Sequence, residues 1–349
     1  MVLYSGRMRS CFVVVLLVST VASAHKVEVD LLGASTPQTA DNPRTGALGV
    51  NLSGVATLSD AVDLSAQLSY TRDLATSSAT THSPGSNAFA GKVGVDLSIG
   101  THLTLSLGLE GGPAAVSQSA TTVTITAPRA GKTTTSDVVL DATNTFYGAS
   151  LLASWDTAGD SALEWAFTLG GQVDRFLTEQ QLKGNATLQA NCATTPTLRR
   201  CSLLTPQDSA LVQGVLSAGV LATLFDDTDL SFDFAWYLYD QDPNDVGYYT
   251  VAVASRSFST GTGTPVAPLT YRLKPQVTHR FGRLTGKLWY SYGLYQGLTG
   301  TVHSVGTRWQ YRFEGGVSVF VTASWQRDVG FDGTPSDSGS AMLGVKYAW

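Results

Sequence analysis

The sequence predicts an all-β chain closed into a transmembrane, antiparallel up-and-down β-barrel of about fourteen strands, with twelve to sixteen allowed by the spacing. Three observations predict it. Apolar residues alternate with small polar ones at period two along most of the chain, and the links between the alternating runs switch between very short and long. Only 14% of the 349 residues are charged while 43% are apolar, against about 25% charged in an ordinary soluble domain. A period of two puts an apolar and a polar face on each strand, and unequal links give a barrel one rim of turns and one of loops.

The chain opens with Arg7 and Arg9, an apolar run over 11–21, and the small residues Ala22, Ser23 and Ala24, the order of a secretory signal. Cleavage after Ala24 is expected, leaving 25–349 as one barrel domain. The run spans only about 17 Å as a helix, short of the ~30 Å hydrocarbon core, so it is not an anchor. Cys11 opens the run and is not placed for lipid attachment. Losing Arg7 and Arg9 moves the net charge from -5 to -7, which leaves no basic excess for nucleic acid. The remaining cysteines, Cys192 and Cys201, are expected to form a disulfide in an exported chain. The alternative, a metal pair, would need distant ligands, because no histidine lies between 103 and 278. No metal or cofactor site is expected.

Strands are expected, in order, at 26–34, starting on Val27, Val29 and Leu31; 45–58; and 61–72, where Val62, Leu64, Ala66, Leu68 and Tyr70 alternate with Asp63, Ser65, Gln67 and Ser69. Next come 88–99 on Val93, Val95, Leu97 and Ile99, 102–117 on Leu103, Leu105, Leu107 and Leu109, 143–155 on Tyr147, Leu151 and Trp155, and 161–176 on Leu163, Trp165, Phe167 and Leu169. Then follow 210–224, 229–240 on Leu230, Phe232, Phe234, Trp236 and Leu238, 269–281, 284–296 on Leu288, Tyr290 and Tyr292, and 301–313. The last two are 317–328 on Val317, Val319, Val321 and Trp325, and 340–349 on Leu343, Val345, Tyr347 and Trp349. A soluble sandwich or solenoid is the alternative. A two-sheet core of about 325 residues would exceed the usual size, and it gives no reason for alternating link lengths.

An aromatic last residue, Trp349, preceded by alternating Tyr347, Val345 and Leu343 resembles the closing strand of Gram-negative outer-membrane β-barrel proteins. The resemblance implies an outer-membrane location with both termini periplasmic, outer-membrane lipid and lipopolysaccharide around the wall, and the barrel-assembly machinery as the partner of that strand. Fatty-acid transporters with fourteen strands have an N-terminal hatch, whereas a strand starts here within a few residues of Ala24. The chain therefore looks more like the monomeric fourteen-stranded porins. Trp155, Phe281, Phe313, Tyr347 and Trp349 at one end of the strands, and Tyr70, Tyr147, Tyr292 and Trp325 at the other, suit interfacial girdles.

The inner face then carries small polar residues, among them Asn51, Ser53, Ser65, Gln67, Thr104, Ser106, Gln172, Ser217, Thr278, Ser291 and Thr322. Its charges divide. Asp63, Asp96, Glu110, Glu164, Asp174, Asp229 and Asp233 make an acidic wall with Lys92 as the exception, and Arg272, Lys274, Arg280, Lys287, Arg308, Arg312 and Lys346 make a basic one. Opposed walls would set up a transverse field across an open lumen; the alternative is a closed interior bridged by ion pairs. Phe146, Leu152, Leu211, Val215 and Leu221 also fall inside, either as an apolar patch or as a seat for the long loop 177–209. The expected function is porin-like diffusion of small hydrophilic solutes. The alternative is a non-conducting surface barrel whose loops bind a partner.

Catalysis is not expected. His303 and Ser304 are an adjacent base and hydroxyl, but neighbours on a strand point to opposite faces. The His-Ser spacing of the outer-membrane phospholipases is absent. His102 and His279 suit an interface, His82 a loop, and Asp240, Asp242 and Asp245 have no histidine near them in sequence. That acidic group suits a solvated rim, with calcium or a lipopolysaccharide-bridging cation as the alternative.

Overall fold

A single strand with alternating Leu, Val, Tyr and Trp cannot satisfy its own backbone, and only closure removes every sheet edge. The computed structural model shows that closure. It describes residues 26–348 except 37–44, 74–75, 78–81, 84–86, 127–132, 158–162, 185, 197–200, 202–203, 205, 226, 244–245, 247, 254–255, 262–267, 299, 331–332 and 334. The signal segment 1–24, Asp245 and Trp349 lie outside the described residues.

Fourteen strands form the wall: β1 Lys26–Thr36, β2 Thr45–Ser59, β3 Val62–Asp73, β4 Asn87–Ile99, β5 Leu103–Thr126, β6 Thr133–Asp156 and β7 Leu163–Gly184. They continue with β8 Gln207–Leu224, β9 Thr228–Tyr239, β10 Leu269–Phe281, β11 Leu284–Tyr295, β12 Thr301–Arg312, β13 Val317–Val329 and β14 Pro335–Ala348. Each pairs antiparallel with its chain neighbours, and β14 returns to β1 with Asp30 opposite Lys346 and Leu31 opposite Val345. The tight turns gather at the rim where β1 starts and β14 ends. Gly100 and Gly282 make two of them at φ of 69° and 61°, a conformation that strains any residue with a Cβ.

Large apolar side chains are exposed on the outside of every strand, for example Leu31, Val50, Leu107, Leu151, Phe167, Leu216, Phe232, Val277, Leu288, Val305, Val321 and Leu343. A continuous apolar belt of this kind fits hydrocarbon and not water. Aromatics border it. Near the tight-turn rim Trp155 stacks on Phe167 at 5.7 Å, His279 meets Phe281 edge-on at 4.2 Å and Tyr311 meets Phe313 at 4.8 Å. Toward the other rim Tyr271, Tyr292 and His303 form a chain at 6.1 and 5.1 Å. The two belts are about eight to ten residues apart along a strand, which at ~3.3 Å each and a tilt of ~40° spans about 20–25 Å of membrane.

All fourteen expected strands are present, but β5, β6 and β7 run well past 117, 143 and 176. β5 and β6 stay paired to the end of that extension, with Val123 opposite Ser136 and Ile125 opposite Thr134. The long loop correspondingly shrinks from 177–209 to 185–206. In those extensions Thr121 and Thr122, and Val138, Val139 and Leu140, follow one another directly, so their sequence lacks the period-two alternation of the lipid-facing part.

Candidate functional site

Residues paired directly across antiparallel strands share a face, so the register identifies the inner wall. One row reads Glu28, Ser53, Gln67, Lys92, Glu110, Gly148, Asp174, Gln213 and Tyr239 from β1 to β9. Side chains link much of it. Gln67 Nε2 donates to Asn51 Oδ1 at 3.0 Å, Lys92 Nζ lies 3.4 Å from Glu110 Oε2, and Gln213 Nε2 donates to the Tyr239 hydroxyl at 3.2 Å. Gln172 Nε2 donates both to Glu110 Oε1 at 2.8 Å and to the Asp174 carboxylate at 2.8 Å.

The acidic and basic residues read from the sequence all fall on this inner face. Asp63 stands opposite Asp96, Glu164 opposite Thr223, and Asp233 opposite Lys274. Lys287 stands between Thr278 and Arg308, and Arg312 opposite Ser318. Ion pairs join the two walls at their seams. Arg280 Nη2 meets Asp229 Oδ2 at 2.5 Å between β9 and β10, and Lys346 pairs with Glu28 between β14 and β1. Away from the seams Asp233, Arg272 and Gln67 are solvent-exposed although they face inward.

Two aromatics line the basic wall through glycine gaps. Phe320 lies against Gly344, and Trp289 against Gly306. The Arg308 guanidinium lies over the Phe320 ring, 3.9 Å from its centroid, within the range of a cation–π contact.

Four of the five expected apolar inner residues cluster, and Leu221, exposed and opposite Ala166, lies apart from them. Phe146 stacks on Phe176 at 6.1 Å, Leu211 opposite Phe176 is 0% exposed, and Val215 and Leu152 follow along the same wall. The segment after β7 includes helix α1, Ala186–Thr194, which lies against β7, and the disulfide Cys192–Cys201.

Sequence reading missed Glu28 and Asp30, which extend the acidic side onto β1, and Asp328, an acid on the basic side that accepts from Tyr295 at 2.7 Å. It also missed Tyr237 and Gln213. The signal was present, since each sits in phase with an inward residue already assigned on its strand. His303 faces outward beside Tyr290 and Tyr292 while Ser304 faces inward opposite Ser291, so the two form no dyad. Asp240 Oδ1 accepts from the backbone of Val212 at 2.9 Å. Among the described residues no three His, Cys, Asp or Glu side chains gather as a metal site.

No family model and no curated protein sequence matches the chain. Solved structures do. A FadL homologue of Pseudomonas aeruginosa aligns with a TM-score of 0.55 at 11% identity, covering 93% of this chain and 89% of that one. The monoaromatic hydrocarbon channel CymD aligns at 0.55 and 8% identity over 93% and 88%, and the toluene transporter TbuX of Ralstonia pickettii at 0.55 and 8% over 93% and 89%. The fold is that of a fourteen-stranded outer-membrane barrel. Identity this low establishes the fold alone.

Proposed function

We propose that this protein is a monomeric channel of the Gram-negative outer membrane through which small hydrophilic solutes diffuse. The observation that carries the reading is the inner wall, where polar and charged side chains including Asp233, Arg272 and Gln67 stand exposed to solvent inside a closed barrel. Apolar residues on the outside of all fourteen strands support a wall surrounded by lipid. Cleavage after Ala24, periplasmic termini, lipopolysaccharide at the long-loop rim and delivery by the barrel-assembly machinery through the strand ending in Trp349 complete the proposal.

One observation favours a second reading. The inward patch of Phe146, Phe176, Leu152 and Val215 offers an apolar surface, and two of the similar structures are described as a hydrocarbon channel and a toluene transporter. An apolar solute would then travel along that patch. The test is conductance of the refolded mature barrel in a planar bilayer across a salt gradient. Stable steps with a defined reversal potential are expected. Silence from a barrel that shows heat-modifiable mobility on a gel would refute an open pore and favour a surface role for the loops.

A further inference from the structure

The basic wall carries a compact group of cations around Trp289. Lys287 on β11 stands directly opposite Arg308 on β12, and like charges paired across a ladder repel. Neither meets a carboxylate in an ion pair among the described residues, since Asp229 takes Arg280 and Glu28 takes Lys346. The Arg308 guanidinium rests on Phe320, which positions its charge without neutralising it. Lys274 and Asp233, the other charged groups that act on Lys287, face each other across β10 and β9. Three cations therefore share one carboxylate, an excess of two positive charges on a wall set in low-dielectric lipid.

The row beside this pair reads Gln276, Trp289, Gly306 and Ser324. The Trp289 ring lies over Gly306, where a Cβ would stand 2.5 Å from Cε2 and 2.9 Å from Cη2. Only a residue without a Cβ leaves that space, and the indole fills it as a broad apolar surface two residues from Lys287 on the same inner face. The next row places Ser291 opposite Ser304. The indole is thus bordered by neutral amide and hydroxyl groups on one side and by the cation pair on the other. Each of these residues lies within one strand and two residues of Trp289, about 8 Å of wall at ~4.8 Å per strand and ~3.3 Å per residue. An apolar surface with a few polar groups placed around it is the usual make-up of a small-molecule site.

We infer that this group binds a sugar phosphate, with the phosphate at Lys287 and Arg308, the pyranose on the Trp289 ring and its hydroxyls toward Gln276, Ser291 and Ser304. The charge fits, because a phosphate monoester carries close to two negative charges at neutral pH and offsets the excess. The shape fits as well. A pyranose has an apolar C–H face and a polar edge, which matches an indole bordered by neutral hydrogen-bonding groups. The inference rests on the channel reading above and names the class of solute.

The test is calorimetric titration of the refolded barrel in detergent micelles with D-glucose 6-phosphate, D-glucose, inorganic phosphate and phenyl phosphate. Saturable binding of glucose 6-phosphate is expected, with each of the other three weaker by about tenfold or more. Glucose lacks the anion, inorganic phosphate the sugar, and phenyl phosphate the hydroxyls. Lys287→Gln should weaken glucose 6-phosphate and inorganic phosphate alike, by about tenfold. Trp289→Leu should weaken glucose 6-phosphate and leave inorganic phosphate unchanged. Heat-modifiable mobility on a gel shows that each variant is folded. No saturable binding of glucose 6-phosphate, equal affinity for any of the other three probes, or variants with unaltered affinities would overturn the inference. Binding in micelles needs no ion flow, so a silent bilayer counts against the channel, and open steps without binding count against the site.

Discussion

Gly344→Ala should destabilise the barrel far more than a methyl group on a strand ordinarily does. An ideal Cβ there would lie 2.7 Å from Phe320 Cε1 and Cε2 and closer still to Cζ, against about 3.5–4.0 Å for a comfortable carbon contact. The ring must retreat by well over an ångström. It is 2% exposed with Arg308 over its face, so a shift of the ring disturbs that guanidinium. Overpacking costs about 1–3 kcal/mol and a lost cation–π contact about 0.5–1 kcal/mol. A loss of about 2–3 kcal/mol is expected, roughly 30- to 150-fold in the unfolding equilibrium. Urea unfolding of the micelle-refolded barrel, followed by tryptophan fluorescence, measures it. Phe320→Leu should be milder, and the double variant should recover most of the loss, giving a coupling energy of about 1 kcal/mol or more. A Gly344→Ala barrel within about 0.5 kcal/mol of the parent, or equal damage in the Phe320→Leu background, would refute the steric reasoning.

Lys274→Glu combined with Lys287→Glu should move the reversal potential in a salt gradient toward cation preference; an unmoved potential would show that these side chains do not line the conducting path. Gln172→Leu removes the amide shared by Glu110 and Asp174 and should lower stability by about 2–4 kcal/mol at neutral pH, and an unfolding midpoint equal to the parent's would contradict that network. Cys192→Ser with Cys201→Ser opens a ring closed over a sequence separation of 9, outside the wall strands. The barrel's midpoint should stay within about 0.5 kcal/mol, as for a change outside the cooperative sheet, while limited proteolysis cuts the 185–206 segment sooner. A large fall in barrel stability would instead make that segment part of the wall's core.

The period-two pattern disclosed the strands because burial in lipid is local information: Val93, Val95 and Leu97 face outward whatever lies beside them. It also sorted Asp233 and Lys274 to the inside before any pairing was known. Over 114–126, 133–142 and 177–184 the pattern fades, and those ends of β5, β6 and β7 are defined only by their pairing with one another. Glu28 and Asp30 alternate with Val27, Val29 and Leu31 and point inward by that same period.

The sequence by itself determined the strand order, the inward and outward faces, the division of charge between the two walls and the cysteine pair. The tertiary structure decided which inward residues meet. Sliding one strand by two residues against its neighbour keeps every side chain on its face but changes every partner. Register alone therefore sets Arg280 against Asp229 and Lys346 against Glu28. The same register lays Phe320 on Gly344 and aligns Ala235, Ser217 and Gly170 into the floor of a recess. Those offsets follow from closing fourteen tilted strands into one ring, a condition that no single strand contains.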